Sequence, residues 1–458
     1  MEISFTEVFG KVRECFQEES IITSLASKLK SVTIIRDVNG KIRLFLEPLD
    51  NISIGETEVN SLENLLPNHL GKYYGQDIWL PEGTKDGYKA LIDTIKAERT
   101  RAFWDDLSVS PRWYILERHI AKQSWTARRQ SALPWSRDYV EQGHKPAIIS
   151  FFSFKGGVGR TSSLVATALT LARNRHRVAI VDLDLEAPGL ATIFSPDDSS
   201  NIGVIDYLLE KKVQRDDWSL RTHIKPINER DLLGDDGELL QLLPAGMVDE
   251  SYLEKLARLD FQNIVDGELQ STMQSMLREL ESAVKPLDFI LLDARAGFHD
   301  IGGLAITNLS HGVVIFGTQS RQSWAGLTHV IRHLAISDSN ESPSLILVHS
   351  MAPALGILGR ENELRQFRDK AYSTFQENYY LESDDVPNSN DTEEPFYPVV
   401  VPYQENLRGD IALFLRESTP EESERLSNLV EIMTDSPYRN IAEKLCTAFG
   451  REFQTNNG

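Results

Sequence analysis

The feature that most constrains the fold of this chain is a glycine-rich loop at residues 154–161, which reads FKGGVGRT. An apolar run of strand character precedes it at 147–152, and a segment of helical character follows at 162–173. Glycines let the backbone turn tightly, so that successive N–H groups can point at phosphate oxygens. The N-terminal end of the following helix adds a partial positive charge. The sequence therefore predicts a strand, a phosphate-binding loop and a helix in direct succession.

Short apolar runs recur after residue 145 and alternate with segments of helical pattern. These runs lie at 147–152, 178–183, 239–243, 289–292, 313–316, 345–348 and 397–401. Continuous apolar runs are typical of strands buried on both faces of a parallel sheet, and their alternation with helices indicates an α/β domain. We therefore expect a doubly wound, mostly parallel sheet within residues 141–458.

Residues 1–140 show a different pattern, and a chain of 458 residues is too long for one ordinary core. A turn signal at 37–40 separates the apolar segments 32–35 and 42–46, which predicts a β-hairpin. A helical region is expected over 85–129. We expect a smaller N-terminal accessory domain, either α+β or helical, whose role the sequence does not assign.

The charge balance limits the partners of the chain. The formal net charge is -20, which disfavours general nucleic-acid binding. The segment 96–137 mixes basic residues with Trp104, Trp113 and Trp125, but interleaved acids favour an ordinary folded domain over a nucleic-acid surface. The acidic segment 382–395 is expected to form a mobile loop.

Neither a targeting segment nor a membrane span is recognisable. Residues 1–5 lack the basic start of a signal peptide, and no apolar run approaches the roughly 20 residues of a membrane helix. The two cysteines, Cys15 and Cys446, form no CxxC pair, which fits a reducing compartment. We expect a cytoplasmic protein, with the amphipathic segment 438–453 packed on the domain or on a partner.

Carboxylates follow two of the predicted strands. Asp182 and Asp184 end one apolar run, and Asp293 ends another. Ligands of doubly wound sheets bind at the carboxyl edge of the strands, so these acids are candidates for a site shared with the glycine loop. They could instead be ordinary solvated strand ends, but their order after the loop favours the site. Thr161 adds a hydroxyl that suits magnesium.

The loop resembles the deviant Walker A motif of ParA/MinD-type ATPases, usually written KGGxGKT, and the resemblance extends over roughly residues 146–450. It implies ATP and Mg²⁺ as cofactors and an ATP-dependent homodimer. Lys155 is the implied signature lysine, which reaches the nucleotide of the partner subunit and assists catalysis. Asp184 is the implied orienting residue for the attacking water.

The resemblance also implies binding residues. Nucleotide contacts are implied for Lys155, Gly156, Gly157, Val158, Gly159, Arg160, Thr161 and Ser162 in the loop, and for Pro402 and Gln404 near the base. Magnesium contacts are implied for Thr161, Asp182 and Asp293, and Gly297 is the implied hinge at the γ-phosphate.

Several positions depart from the family pattern. Phe154 stands in place of the first glycine, as deviant loops allow. Arg160 replaces the loop lysine, so binding is expected to survive while hydrolysis is slow. Arg295 and Ala296 replace two prolines, and Arg295 is either a catalytic or interface arginine or a salt-bridge partner, which we favour. His299, without a visible acid partner, is expected to be a plain loop histidine.

These features predict an ATP-binding and slowly ATP-hydrolysing molecular switch that dimerises around Mg·ATP and signals to a partner protein. One alternative is a nucleotide sensor with little turnover, because Arg160 replaces the loop lysine. Another is an ATP-dependent partition factor associated with nucleic acid, which the acidic charge disfavours.

Overall fold

The computed structural model describes residues 3–18, 20–81, 88–106, 108–119, 122–126, 133–195, 202–215, 218–259, 268–283, 286–335, 342–380, 386–409 and 411–454. The chain forms two compact units, Met1–Ile120 and Ala121–Gly458. The expected boundary after residue 140 falls inside the second unit, because Trp125, Trp135 and Val140 are buried in the core of that unit.

The first unit is an α+β domain, one of the two expected forms. Its elements are α1 (Val8–Glu18), α2 (Ser20–Ser27), β1 (Leu29–Arg36), β2 (Ile42–Pro48), α3 (Glu56–Leu70), β3 (Tyr74–Trp79), α4 (Tyr88–Glu98), β4 (Thr100–Arg101) and β5 (Arg112–Glu117). The sheet has the strand order β3-β2-β1-β5-β4. Helices α1 to α3 pack on the face of Val32 and Ile34, and α4 packs on the face of Ile35 and Phe45.

The hairpin expected in this unit is confirmed, because β1 and β2 pair antiparallel on either side of the predicted turn. The helix expected over 85–129 is wrong at β5, which pairs parallel with β1. Residues 112–117 read RWYILE, a run rich in aromatic and apolar side chains that suits a strand. Its partner strand is distant in sequence, so local pattern alone did not reveal the pairing.

The second unit carries most of the chain. Its elements are α5 (Gln123–Thr126), α6 (Arg137–Glu141), β6 (Ala147–Ser153), α7 (Arg160–Arg173), β7 (Val178–Asp182), α8 (Leu190–Phe194), α9 (Val204–Gln214), β8 (Lys225–Ile227), α10 (Arg230–Leu233), β9 (Leu240–Leu243), α11 (Tyr252–Leu256), α12 (Glu268–Ala283), β10 (Phe289–Asp293), α13 (Asp300–Leu304), β11 (Gly312–Gly317), α14 (Arg321–Ala335), β12 (Ser344–Ala352), α15 (Arg360–Asn378), β13 (Val399–Pro402), α16 (Pro420–Thr434) and α17 (Tyr438–Ala448). A π-helix, Ala305–Leu309, follows α13 directly.

The sheet of this unit has the strand order β13-β12-β11-β6-β10-β7-β9-β8. Neighbouring strands in this sheet are parallel, except for the antiparallel pair of β8 and β9. The predicted doubly wound, mostly parallel sheet is therefore confirmed, and each predicted strand is present. Because β10 lies between β6 and β7, the carboxyl ends of these three strands meet at one edge. Strand β8 was not predicted, since a three-residue edge strand containing Pro226 carries no periodic signal.

The core lies on both faces of this sheet. Every residue of β6, β7, β10 and β11 is buried, and α7 packs between the sheet and helices α16 and α17. The C-terminal helix packs on the domain as predicted, burying Ile441, Leu445 and Phe449, although it ends at Ala448 rather than continuing to Phe453. None of the helices in the described part of the chain is long and apolar enough to cross a bilayer.

The expected mobile loop at 382–395 lies partly outside the described residues, which resume at 386. Residues 386–395 form neither helix nor strand. Side chains from the rest of the domain donate to this segment: the Tyr380 hydroxyl to Glu394 Oε2 at 2.6 Å, the Tyr372 hydroxyl to Pro387 O at 3.2 Å and Lys444 Nζ to Thr392 O at 2.9 Å. The mobility of this segment stays a prediction.

Candidate phosphate-binding site

The glycine loop connects the end of β6 to the first residue of α7. Gly157 and Gly159 have φ angles of 70° and 76°, a left-handed backbone that glycine adopts without steric cost. Gly159 immediately precedes α7, so the positive end of the helix opens onto the loop. A Cβ at Gly156, Gly157 or Gly159 would meet no other atom within 4 Å. The loop is therefore open to a ligand at these three residues.

Contacts with β12 and α14 hold the loop in place. The Ser350 hydroxyl, on β12, donates to the carbonyl oxygen of Val158. The Phe154 ring lies over Gly326 of α14, where a Cβ would fall 1.9 Å from the ring. Its centroid is also 5.0 Å from that of Phe298. Phe154 can replace the usual loop glycine because the facing helix carries a glycine at the point of contact.

The predicted carboxylates lie beside this loop. Asp182 and Asp293 are register partners at the ends of β7 and β10. The Thr161 hydroxyl donates to Asp293 Oδ2 at 2.7 Å. Asp182 accepts hydrogen bonds from the backbone N–H groups of Asp184 and Gly189, at 3.1 and 3.0 Å, and thereby shapes the turn after β7. Sheet register thus brings together residues that the sequence shows only as separate strand ends.

Asp182 and Asp293 are buried acids that lie in each other's field. Burial, together with repulsion from Asp293, raises the pKa of Asp182 to about 7. Burial also raises the pKa of Asp293, although the charge of Arg160 and the hydrogen bonds from Thr161 and Arg160 oppose this change. A metal cation at this position would relieve the repulsion between the two carboxylates, so the electrostatics suit a metal site.

Arg160 ties the loop to two acids at once. Its Nε donates to Asp293 Oδ1 at 2.6 Å, and its Nη2 donates to Asp184 Oδ2 at 3.2 Å. The side chain is buried, and the planar guanidinium presents separate N–H groups to the two carboxylates. In this arrangement the cation beside the glycine loop neutralises carboxylates of the site.

A second arginine extends the network to the loop after β10. Arg295 Nη1 donates to Asp184 Oδ1, and its Nη2 is paired with Glu186 Oε2, both at 2.9 Å. Each oxygen of Asp184 is therefore bound by a different arginine, the other being Arg160. The salt-bridge interpretation of Arg295, which the sequence favours, is the arrangement observed.

The network includes His299, whose Nε2 lies 2.7 Å from Glu186 Oε1. The expectation that His299 has no acid partner is therefore wrong. The two residues are separated by 113 positions, and they meet because the loops that follow β7 and β10 are neighbours. No local sequence signal marks such a pair.

The other predicted residues occupy separate places. Lys155 is exposed, and within the described part of the chain it has no hydrogen bond or ion pair. Ser162 is half-buried in the first turn of α7. Pro402 ends the edge strand β13 and Gln404 lies just beyond it, with β12 and β11 between β13 and β6. Contact between these two residues and a base stays a prediction.

The donor set fits a magnesium ion held together with phosphate. Oxygens of Thr161, Asp182 and Asp293 are hard ligands, and Mg²⁺ in proteins takes one or two carboxylates and completes its shell with phosphate and water. Among the described residues there is no cluster of three acidic, histidine or cysteine side chains suited to a metal alone. A metal here would depend on phosphate oxygens for its remaining ligands.

A doubly wound sheet with a glycine loop between a central strand and its helix defines the class: the second unit has a P-loop α/β fold, as the sequence predicts. No family model matches the chain. The fold is therefore established by the strand order and the loop rather than by a sequence family.

Curated relatives match short parts of the chain. The cytosolic Fe-S cluster assembly factor CFD1 of Candida glabrata is 43% identical over 53 residues, which is 12% of this chain and 19% of that protein. An uncharacterised protein of Mycobacterium tuberculosis is 27% identical over 175 residues, which is 38% of this chain and 47% of that protein. The chain spans less than half the length of each of these relatives.

Solved structures similar to the chain cover more of it at lower identity. A ParA family ATPase from Chlorobium tepidum is 16% identical with a TM-score of 0.38, covering 63% of this chain and 98% of its own. MinD from Pyrococcus furiosus is 18% identical with a TM-score of 0.37, covering 62% and 97%. Cobyrinic acid a,c-diamide synthase from Mycobacterium smegmatis, solved with an ATP analog and magnesium, is 17% identical with a TM-score of 0.41, covering 68% and 100%. At these identities and TM-scores the likeness carries no conclusion on fold or function.

Proposed function

We propose that the second unit binds ATP with Mg²⁺ at the glycine loop and hydrolyses it slowly, as a molecular switch. The observation that supports this most strongly is the joint contact of Arg160 and Thr161, at the end of the loop, with Asp293 at the end of a neighbouring strand. It places a cation, a hydroxyl and a buried carboxylate beside an open glycine turn, as phosphate and metal binding require.

In the proposed complex, N–H groups of residues 156–162 hold the phosphates. Thr161 and Asp293 hold the magnesium, with Asp182 in its shell, and the metal when bound offsets charge on the phosphate oxygens. Asp184 orients the attacking water once an arginine has released one of its oxygens. Pro402 and Gln404 contact the base.

Lys155 gives the proposal its second part. Its ammonium is exposed beside the loop and unpaired among the described residues, so it can reach a nucleotide on a second copy of the chain. We assign it the catalytic role of a cation supplied across a homodimer. The stabilisation of such a dimer by ATP equals the difference between the binding free energies of ATP for the dimer and for the monomer. The dimer then signals its nucleotide state to a partner protein, in a cytoplasmic setting.

Steady-state phosphate release from Mg·ATP tests the enzymatic part of this proposal. We expect slow turnover by the wild-type chain and its loss in Asp184→Ala, because that variant lacks the group that orients water. Asp236→Ala, which changes an exposed ion pair with Arg175, serves as the control and should leave the rate unchanged. Turnover that persists in Asp184→Ala would contradict the assignment of that residue.

A nucleotide sensor with little turnover is the second candidate. It is favoured by the observation that both oxygens of Asp184 are bound by Arg160 and Arg295, which leaves the carboxylate restrained. Tight binding of Mg·ATP without phosphate release above the rate of Asp184→Ala would support this candidate over the enzyme.

The partition-factor alternative, which requires nucleic acid, is not favoured. In the described part of the segment 96–137, Lys96 and Arg99 pair with Glu47, and Arg118 pairs with Glu98. Basic groups neutralised in this way contribute little to phosphate binding on DNA. A salt-dependent DNA shift that requires ATP would be needed to revive this alternative.

A further inference from the structure

We propose that Arg295 is a phosphate-binding residue. Without nucleotide it pairs with Asp184 and Glu186, and when a nucleoside triphosphate binds it leaves them and binds the γ-phosphate. The inference rests on the proposed function of the glycine loop and goes beyond it, because the salt bridge now becomes the resting position of a ligand-binding group. Its starting point is that Arg295 has both of its terminal nitrogens on carboxylates of the loop after β7.

The two arginines on Asp184 differ in their freedom to move. The side chain of Arg160 is 9% exposed and is fixed by Asp293, whereas that of Arg295 is 26% exposed. Gly297, two residues beyond Arg295, has a φ angle of 78° that a non-glycine residue rarely adopts. Arg295 is therefore the more exposed of the two arginines and lies next to a turn that requires glycine, so its head can leave Asp184 more easily than that of Arg160.

The exchange follows from charge. A triphosphate bound at the loop would bring its terminal group next to Asp184, where it repels the carboxylate and attracts the guanidinium. Phosphate and carboxylate offer the same bidentate acceptor geometry to arginine, so one set of hydrogen bonds replaces the other. Release of Arg295 also frees Asp184 Oδ1 to accept a water molecule. A diphosphate lacks the terminal group and leaves the pair intact.

Calorimetry on the full chain, with Mg·ADP and a magnesium-bound non-hydrolysable ATP analogue, tests this assignment. Arg295→Gln should weaken binding of the analogue about tenfold and leave ADP affinity unchanged. The variant loses the charged hydrogen bonds from Arg295 to the γ-phosphate, which ADP lacks. Arg177→Gln is the matched control, since Arg177 is a part-buried arginine paired with Asp288 near the other end of the strands. It should change neither affinity.

Asp184→Asn separates the proposal from a purely structural salt bridge. If Arg295 leaves Asp184 to bind the γ-phosphate, this variant should bind the analogue more tightly than the wild type, because the neutral amide attracts the arginine less strongly than a carboxylate does. An Asp184→Asn chain with weakened analogue binding, or an Arg295→Gln chain that loses ADP and analogue affinity equally, would overturn the assignment. A wild-type chain that binds neither nucleotide would contradict the proposed function instead.

Separate contacts lead to a second inference. We infer that residues 122–126 respond to the nucleotide site, because they are docked on the loop after β10. Asp300, a buried residue at the start of α13, accepts from Lys122 N at 2.6 Å and from Lys122 Nζ at 3.1 Å. The Ser124 hydroxyl donates to the Asp300 carbonyl at 3.1 Å.

A tryptophan completes this docking. Trp125 is 4% exposed, and its Nε1 donates to the carbonyl of His299 at 2.8 Å. Its ring contacts Phe152 of β6 and Phe298 of the loop. A Cβ at Gly303 would fall 2.6 Å from Nε1, so the indole lies against α13 only because this helix carries glycine there.

These contacts join residues 122–126 to the part of the loop that follows Gly297. Gly297 N donates to Ser153 O at the end of β6. The His299 carbonyl and the Asp300 carboxylate, which residues 122–126 bind, lie within the next three residues. A shift of the loop on triphosphate binding must carry the segment with it or leave buried polar groups without partners. The π-helix that follows α13 suits such a shift, since its backbone pairing is already irregular.

Hydrogen exchange on the full chain, with Mg·ADP and with the analogue, tests this coupling. We expect nucleotide-dependent exchange at 156–161 and at 122–126. Gly303→Ala and Trp125→Leu should each abolish the change at 122–126 while keeping the change at 156–161. Gly10→Ala, at a helical position where a Cβ meets nothing within 4 Å, is the control and should behave as wild type.

Exchange at 122–126 that is independent of nucleotide in the wild type, or that still depends on nucleotide in both variants, would overturn the coupling. An absence of any change at 156–161 in the wild type would contradict the proposed nucleotide binding rather than the coupling.

Discussion

At the scale of single residues, the chemistry of the site depends on Asp184. Arg160 holds one of its oxygens and Arg295 holds the other. A carboxylate bound in this way cannot orient water until one arginine leaves, so restraint of Asp184 would be a physical reason for the slow turnover that we propose. Replacement of the usual loop lysine by arginine contributes directly, because a single ammonium could not span the two carboxylates that Arg160 spans.

Arg160→Lys should therefore raise the rate of phosphate release, because the shorter-reaching ammonium keeps Asp293 and releases Asp184. The measurement is steady-state phosphate release at saturating Mg·ATP, with circular dichroism to establish that the variant is folded. A folded Arg160→Lys chain with an unchanged or lower rate would show that the Arg160 contact is not what limits turnover.

The sequence predicted which residues gather at this site, but not how they pair. Glycine spacing and strand-end acids are local patterns, so the sequence alone predicted the loop, Asp182, Asp184 and Asp293. The contact between Arg160 and Asp293 spans 133 positions and that between Arg295 and Asp184 spans 111. Such pairs depend on strand register and side-chain direction, which no local pattern contains.

At the scale of elements, strand β12 carries a buried histidine beside the site. His349 is stacked on Phe367 of α15, with ring centroids 3.9 Å apart, and Glu363 Oε1 lies 3.6 Å from its Nε2. Burial lowers the pKa of His349 to about 4, and the charge of Arg360 adds to the effect. The strand is therefore most stable when this imidazole is neutral.

This pKa predicts an acid-dependent loss of stability. Between about pH 6.5 and pH 4 the unfolded chain binds a proton on His349 that the folded chain does not, so the free energy of unfolding falls by about 1.4 kcal/mol per pH unit from this group. His349→Phe should remove that part of the slope in urea denaturation, and His144→Phe, at an exposed position, should keep it. Equal slopes for wild type and His349→Phe would contradict the assignment.

Elements were predictable to the extent that they are locally marked. The continuously buried strands β6, β7, β10 and β11 carry long apolar runs, and all were predicted. Strand β5 was assigned to a helical region, since its pairing with β1 is set by tertiary contacts.

At the scale of the whole molecule, the proposed switch requires two copies of the chain. Lys155→Ala should keep Mg·ATP affinity close to that of wild type but remove the dimer, because the exposed ammonium serves the partner's nucleotide. Light scattering after gel filtration in the ATP analogue distinguishes the 51.8 kDa chain from its dimer. Lys212→Ala, at another exposed lysine, is the control and should still dimerise. Stable dimers of Lys155→Ala would contradict the trans role.

The division of the chain into two units was expected, but the role of the first unit could not be read from the sequence. Its residues carry no catalytic spacing, and its part-buried polar groups, such as Glu47 with Arg99, form structural networks. The contacts of residues 122–126 with the loop after β10 become visible only when the fold places them together.

Titration calorimetry of the folded wild-type chain with ATP, in the presence and absence of Mg²⁺, tests the central claim most directly. We predict saturable uptake of a single nucleotide per chain that requires magnesium and is strongly reduced in Asp293→Asn, because this carboxylate joins the metal to the loop. Folded wild-type protein that takes up no Mg·ATP would contradict the account.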